Sequence, residues 1–91
     1  DLIPENFYLS QNYPNPFNPT TRIDYSIPIR TQVKITIYDI QGRLVDRLAN
    51  NSYDVGNHKV MFDASLLSSG IYFVQLITNQ DIKYSKIMLL K

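Results

Sequence analysis

His58 is the only histidine in the sequence, and the carboxylates available to work with it, Asp39, Asp54, Asp63 and Asp81, are scattered between strand-like stretches. Acid–base or nucleophilic catalysis needs a nucleophile and an orienting carboxylate brought within hydrogen-bond reach of such a histidine. The sequence has no cysteine to attack with, a single glutamate (Glu5) to pair with an aspartate, and no Asp-x-Asp-x-Asp-Gly run to hold calcium. The aspartates stand where turns favour a side chain that bonds its own backbone, and His58 sits at a strand start between Gly56 and Lys59. They are more simply turn formers and a solvated loop-edge histidine, so no catalytic group, metal site or cofactor is expected.

Two other groups of residues invite a binding role. Seven tyrosines and four phenylalanines raise the prospect of sugar stacking, but Tyr25, Phe62 and Tyr72 lie in phase with aliphatic neighbours and belong to a core. Tyr38, Tyr53 and Phe73 are out of phase, and three scattered rings do not make a convergent site. The last stretch, KIMLLK, places Ile87 and Leu89 on one face and Lys86, Met88 and Leu90 on the other. If Ile87 and Leu89 are core, Met88 and Leu90 are left outside, with Lys83, Lys86 and Lys91 nearby, and an open strand edge there would offer unpaired backbone groups to a partner.

Composition narrows the partners. Nine Lys and Arg against eight Asp and Glu give a net charge of +1, too little for the basic footprint of a nucleic-acid binder or a polybasic membrane anchor. No window approaches the roughly 20 apolar residues of a membrane-spanning helix. With 91 residues and no cysteine, a single core must hold by packing alone. The sequence opens on DLIPENFYLS, without an initiator Met or an apolar leader, as expected of a module cut from a larger protein.

The elements that must position these residues read as strands. Ile23, Tyr25 and Ile27 alternate with Arg22, Asp24 and Ser26, and Val33, Ile35 and Ile37 alternate with Lys34, Thr36 and Tyr38. Gly42, in DIQGR, supplies a hairpin or bulge; Leu44, Val45 and Leu48 form a less regular strand; NNSYDVGN is a turn-rich loop with Gly56 at its tip. Val60 and Phe62 share one face of the next strand. DASLLSSG predicts a short 3₁₀ or α turn with Asp63 as cap and Gly70 as stop. Two strands close the chain around Asn79, Gln80 and Asp81. About seven short strands separated by polar turns predict an all-β, antiparallel, immunoglobulin-like β-sandwich spanning residues 1–91 as a single domain, with 1–8 as linker or first edge segment. A five- or six-stranded barrel is the alternative.

QNYPNPFNPT, residues 11–20, crowds Pro14, Pro16 and Pro19 between two strands. A free proline-rich ligand would be polar and flexible. Here Tyr13 and Phe17 interleave with the prolines, and both rings are expected to tuck into the end of the sandwich while the segment crosses from one sheet to the other. Each proline fixes φ and withholds an N–H, and Asn15 and Asn18 are placed to bond nearby backbone.

With these stretches placed, the sequence resembles the type A C-terminal sorting domain of the type IX (Por) secretion system. The likeness covers almost the whole chain: LSQNYPNPFNPTTRIDYSIP, then VKITIYDIQGRLV, DASLLSSGIYFVQL and KIMLLK, in that order. Its motif positions fall here on Pro14, Asn15, Pro16 and Phe17; on Tyr38, Asp39, Gly42 and Arg43; on Gly70 and Tyr72; and on Lys86, Ile87, Leu89, Leu90 and Lys91. The family is similar in fold to the immunoglobulin-like domain of flagellar hook-capping proteins. The resemblance implies a non-catalytic address that takes an N-terminal cargo, after its passage into the periplasm, through the outer-membrane translocon of a Gram-negative bacterium for release or surface attachment, a sortase-like peptidase removing the domain. Residues 86–91, Met88 included, are the expected recognition segment, the other motif residues being mainly structural. The rival expectations are a carbohydrate-binding module, which polysaccharide gels would retard, and a structural or cell-attachment spacer, which would remain on the mature protein.

Overall fold

The computed structural model describes residues 4–91 and is all-β, with seven antiparallel strands: β1 (Tyr8–Leu9), β2 (Thr20–Ile27), β3 (Thr31–Asp39), β4 (Leu44–Tyr53), β5 (Gly56–Asp63), β6 (Gly70–Ile77) and β7 (Ile82–Leu89). They form two sheets, β1-β2-β5 and β4-β3-β6-β7. The layering is that of a sandwich and fits the immunoglobulin-like arrangement expected from the sequence; the sheets do not close into a barrel. Residues 1–3 of the expected 1–8 segment lie outside the described residues; Tyr8 and Leu9 form an edge strand against Ser26 and Tyr25.

The core follows the period-two faces. Ile23, Tyr25, Ile27 and Phe62 from one sheet meet Val33, Ile35, Ile37, Tyr72, Val74, Leu76, Ile87 and Leu89 from the other. Burial pushes the Tyr25 phenol above its ordinary pKa, with Tyr53 adding to the effect. His58 is not a solvated loop residue. It lies in β5, stacks on Tyr25 at 5.4 Å between ring centroids and meets the edge of Tyr53, which makes it part of the packing at that end.

Two local expectations change and one holds. Residues 50–53 continue β4 rather than opening a loop: each pairs with β3, as in Asn50 with Lys34 and Ser52 with Gln32. On an edge strand their polar side chains face water and bond across to Gln32, so a turn-like composition is compatible with a strand. DASLLSSG makes the short turn expected of it, closed by Leu67 N–H donating to the Ala64 carbonyl three residues back at 3.0 Å. Asp63 ends β5, and its side chain caps that turn by accepting from the Ser65 main-chain N–H at 3.0 Å. Finally, Tyr13 does not tuck in. It is 73% exposed, whereas Phe17 is 2% exposed and packs against Phe62 at 6.0 Å.

Truncating a fully buried phenylalanine costs about 3–5 kcal/mol. Urea unfolding should therefore show Phe17→Ala destabilised by that order. Tyr13→Ala should move the midpoint by less than about 0.5 kcal/mol equivalent, as exposed positions do.

Candidate recognition surface

Strand β7 is the outer strand of its sheet, pairing only with β6 from Gly70↔Leu89 to Ile77↔Ile82. An outer strand would normally leave a row of N–H and C=O groups open. Over the second half of β7 the proline segment fills that row. Phe17 N–H donates to the Met88 carbonyl at 2.9 Å and Leu90 N–H donates to the Phe17 carbonyl at 3.0 Å, a parallel bridge. Met88 N–H donates to Asn15 Oδ1 at 3.2 Å, and Gln11 Nε2 donates to the Lys86 carbonyl at 2.9 Å. At its other end the segment is tied to the opposite sheet by reciprocal bonds between Tyr13 and Arg22. Residues 11–17 thus cross between the sheets as expected and strap the edge of β7, so the open edge anticipated along KIMLLK is closed at Lys86–Leu90.

The strap has its own polar anchor, which sequence reasoning missed. Asn12 is 3% exposed; its Nδ2 donates to the Pro14 carbonyl at 3.1 Å and to Thr21 Oγ1 at 3.0 Å, and Thr21 Oγ1 donates to the same carbonyl. A carbonyl in a segment that crosses between sheets has no ladder partner, so side chains supply its bonds. The only local signal was an amide residue two positions ahead of the first of the three prolines.

Within KIMLLK the alternation divides the candidate residues cleanly. Ile87 and Leu89 are 0% and 1% exposed and belong to the core. Lys86, Met88, Leu90 and Lys91 are exposed. Lys91 Nζ reaches the Ser65 carbonyl at 2.6 Å, and its N–H donates to Ser69 Oγ, which fastens the chain end over the turn before β6. The folded surface of this segment is thus two lysines, a methionine and a leucine.

The remaining motif residues divide between surface and scaffold. Pro14, Asn15 and Pro16 are exposed on the outside of the strap. Tyr38 is half-buried on the outer face of its sheet, its OH donating to Gln75 Oε1. Asp39 organises the β3–β4 turn: Oδ1 accepts from the N–H groups of Gln41 and Arg43 at 2.9 Å, and Oδ2 pairs with Arg43 Nε at 2.9 Å. Those donors hold the Asp39 carboxyl below the usual carboxylate range, led by the Arg43 N–H. Gly42 has φ +83°, a left-handed conformation that a side chain would strain. Gly70 opens β6 opposite Leu89. Tyr72 is 7% exposed, and its OH donates to the Ser68 carbonyl at 2.7 Å. These groups build turns and core. Asp39, Arg43, Gly70 and Tyr72 line one cleft with Ser68 and Ser69, and no cluster of three or more metal-ligating side chains exists among the described residues.

An antiparallel sandwich whose first motif straps the edge of its last strand is a structural module built around that strand. A family model described as the secretion system C-terminal sorting domain matches residues 11–90, and the chain belongs to that family. The matched span runs from the strap to the outer end of β7. The domain is a C-terminal sorting signal of type IX secretion, of a family that is in general non-catalytic, works with the type IX machinery on an attached cargo protein, and leads to secretion or the cell surface. No curated protein matches the chain.

Two outcomes test this geometry. Asn12→Ala leaves the Pro14 carbonyl and Thr21 hydroxyl short of a partner, so unfolding free energy should fall by about 1–3 kcal/mol in denaturant titration. Because the Asp39 pKa is lowered in the fold, its stabilisation is present above the ordinary carboxylate pKa, near 4, and is lost as pH falls through the lower folded value. Asp39→Asn should thus show a shallower loss of melting temperature between about pH 5 and pH 2 than the unaltered chain.

Proposed function

We propose that residues 1–91 act as one sorting unit whose address is the exposed side of the terminal strand, Lys86, Met88, Leu90 and Lys91. Ile87 and Leu89 hold that side in place from within. The outer-membrane translocon reads this surface on a cargo delivered to the periplasm of a Gram-negative bacterium, and a sortase-like peptidase then processes the cargo. The domain performs no chemistry itself: it is the substrate and label of that machinery. One observation carries the proposal: the two ends of the family-matched span are hydrogen-bonded to each other, residues 11–17 against residues 86–90. A segment with an elaborate brace and an exposed, mixed cationic and apolar side is built to be presented.

Deleting residues 86–91 would remove Ile87 and Leu89 from the core and confuse recognition with folding. The test is the combined variant Lys86→Ala, Met88→Ser, Leu90→Ser and Lys91→Ala in the full cargo protein, with limited proteolysis of the same protein reporting on the fold. The expected result is cargo retained in the periplasm with an unchanged proteolytic pattern. Normal surface delivery of that variant overturns the proposal.

A further inference from the structure

The strap covers only part of the β7 edge. The alternation that turns the main-chain groups of Lys86, Met88 and Leu90 toward residues 11–17 also turns those of Ile82 and Tyr84 outward. Among the described residues no hydrogen bond reaches the N–H or C=O of Tyr84 from beyond that edge. The Ile82 N–H is taken by Asp81 Oδ1 at 2.8 Å, so the open stretch of strand edge runs from the Ile82 carbonyl to the N–H of Lys86, ending where Gln11 bonds the Lys86 carbonyl.

The face alongside this edge differs from the other outer face of the sandwich. Across the four-stranded sheet the outward rows read Asn50, Lys34, Ile77, Ile82; then Arg47, Thr36, Gln75, Tyr84; then Leu44, Tyr38, Phe73, Lys86. Tyr38, Gln75 and Tyr84 are joined by cross-strand hydrogen bonds of 3.2 and 2.9 Å, so the rings and the amide are held in one ladder. Tyr84 is 64% and Ile82 51% exposed. The charged residues in these rows are Lys34, Arg47 and Lys86; the adjoining carboxylates, Asp39 after Tyr38 and Asp81 before Ile82, are paired with Arg43 and Lys83. On the opposite sheet the outward residues of β2 and β5 mix signs, Arg22 pairing with Asp24 at 3.1 Å and Asp24 standing opposite Lys59. The net charge of the whole chain is +1, so this concentration of cations on one apolar face is local.

We infer that the open edge at Ile82–Lys86 and the adjoining Tyr38–Phe73–Tyr84 face form a docking site for an extended acidic segment of a partner protein, added as a further strand beside β7. An added strand takes its affinity from main-chain bonds to the open edge and its selectivity from side chains laid on alternate positions of the face. Lys34, Arg47 and Lys86 complement acidic side chains there and disfavour a second copy of the same cationic face. The strap sets the register: a strand entering from the Ile82 end stops at Gln11. This rests on the proposal that β7 is what the machinery recognises, and extends the recognised surface to Lys34 and Tyr84, outside the four positions changed in the preceding test.

Proline is tolerated on an edge where its missing N–H faces outward, so Tyr84→Pro removes a docking donor without breaking a bond to β6, while Tyr84→Thr removes the ring and keeps the donor. In the full cargo protein, with limited proteolysis as the fold control, Tyr84→Pro is expected to lower surface delivery at least ten-fold below Tyr84→Thr. Lys34→Glu is expected to lower it several-fold, with Lys59→Glu on the opposite sheet as the unaffected control. Equal delivery of the Pro and Thr variants, both reduced, overturns strand addition in favour of an anionic chain bound to the face alone. Normal delivery of Tyr84→Pro and Lys34→Glu, with the combined variant of residues 86–91 still retained, overturns this inference and leaves the terminal address standing.

Discussion

The pairing of Phe17 with the outer edge of β7 is the constraint on which much of the structure turns. It satisfies main-chain groups of Met88 and Leu90 that an outer strand would leave open, and it drives an aromatic ring into the gap between the sheets. Burying such a ring contributes about 1.5–3 kcal/mol, and each main-chain bond adds about 0.5–1.5 kcal/mol net. For a domain of this size, with no disulfide, those are sizeable fractions of the total. The prolines on either side of Phe17 suit this role because a strap that must cross between sheets has few N–H partners to spare. Residues 11–17 are thus bonded along β7 of the same chain.

Pattern in the sequence exposed the sandwich where burial and period agree. Ile23, Tyr25 and Ile27, or Val33, Ile35 and Ile37, alternate because each strand has one dry face, and the structure places all six in the core. β4 was harder to see. Its register slips against β3 between Ile35 and Thr36 and again between Ile37 and Tyr38, so Val45 and Leu48 fall out of a period of two. Asn50, Asn51 and Ser52 near its end are polar because they line an edge. The turn at Ala64–Leu67 resembled a helix start in composition, but too few residues remained before Gly70 to repay helix nucleation.

The surface was legible only in part. That Met88 and Leu90 face outward follows from strand parity, as does the burial of Ile87 and Leu89. That the edge beside them is closed does not, because Asn15 and Met88 lie 73 positions apart in sequence and no local pattern joins them. Tyr13 and Phe17 have the same aromatic character and similar surroundings, and only the crossing path of the backbone decides that one ring is buried and the other wet. Asn12 escaped notice for the same reason: its value lies in a carbonyl and a hydroxyl that the fold delivers to it.

The strap also makes closure of the fold wait on β7. β1 to β6 can pair as they emerge, but residues 11–17 have no edge to close until residues 86–90 are present, about as non-local a contact as a chain of this length permits. A chain cut short, or one whose end is still held elsewhere, keeps Phe17 in water and Asn15 without its partner. The sandwich is therefore shut by its seventh strand, and the ring that fills its end stays wet until that strand is in place.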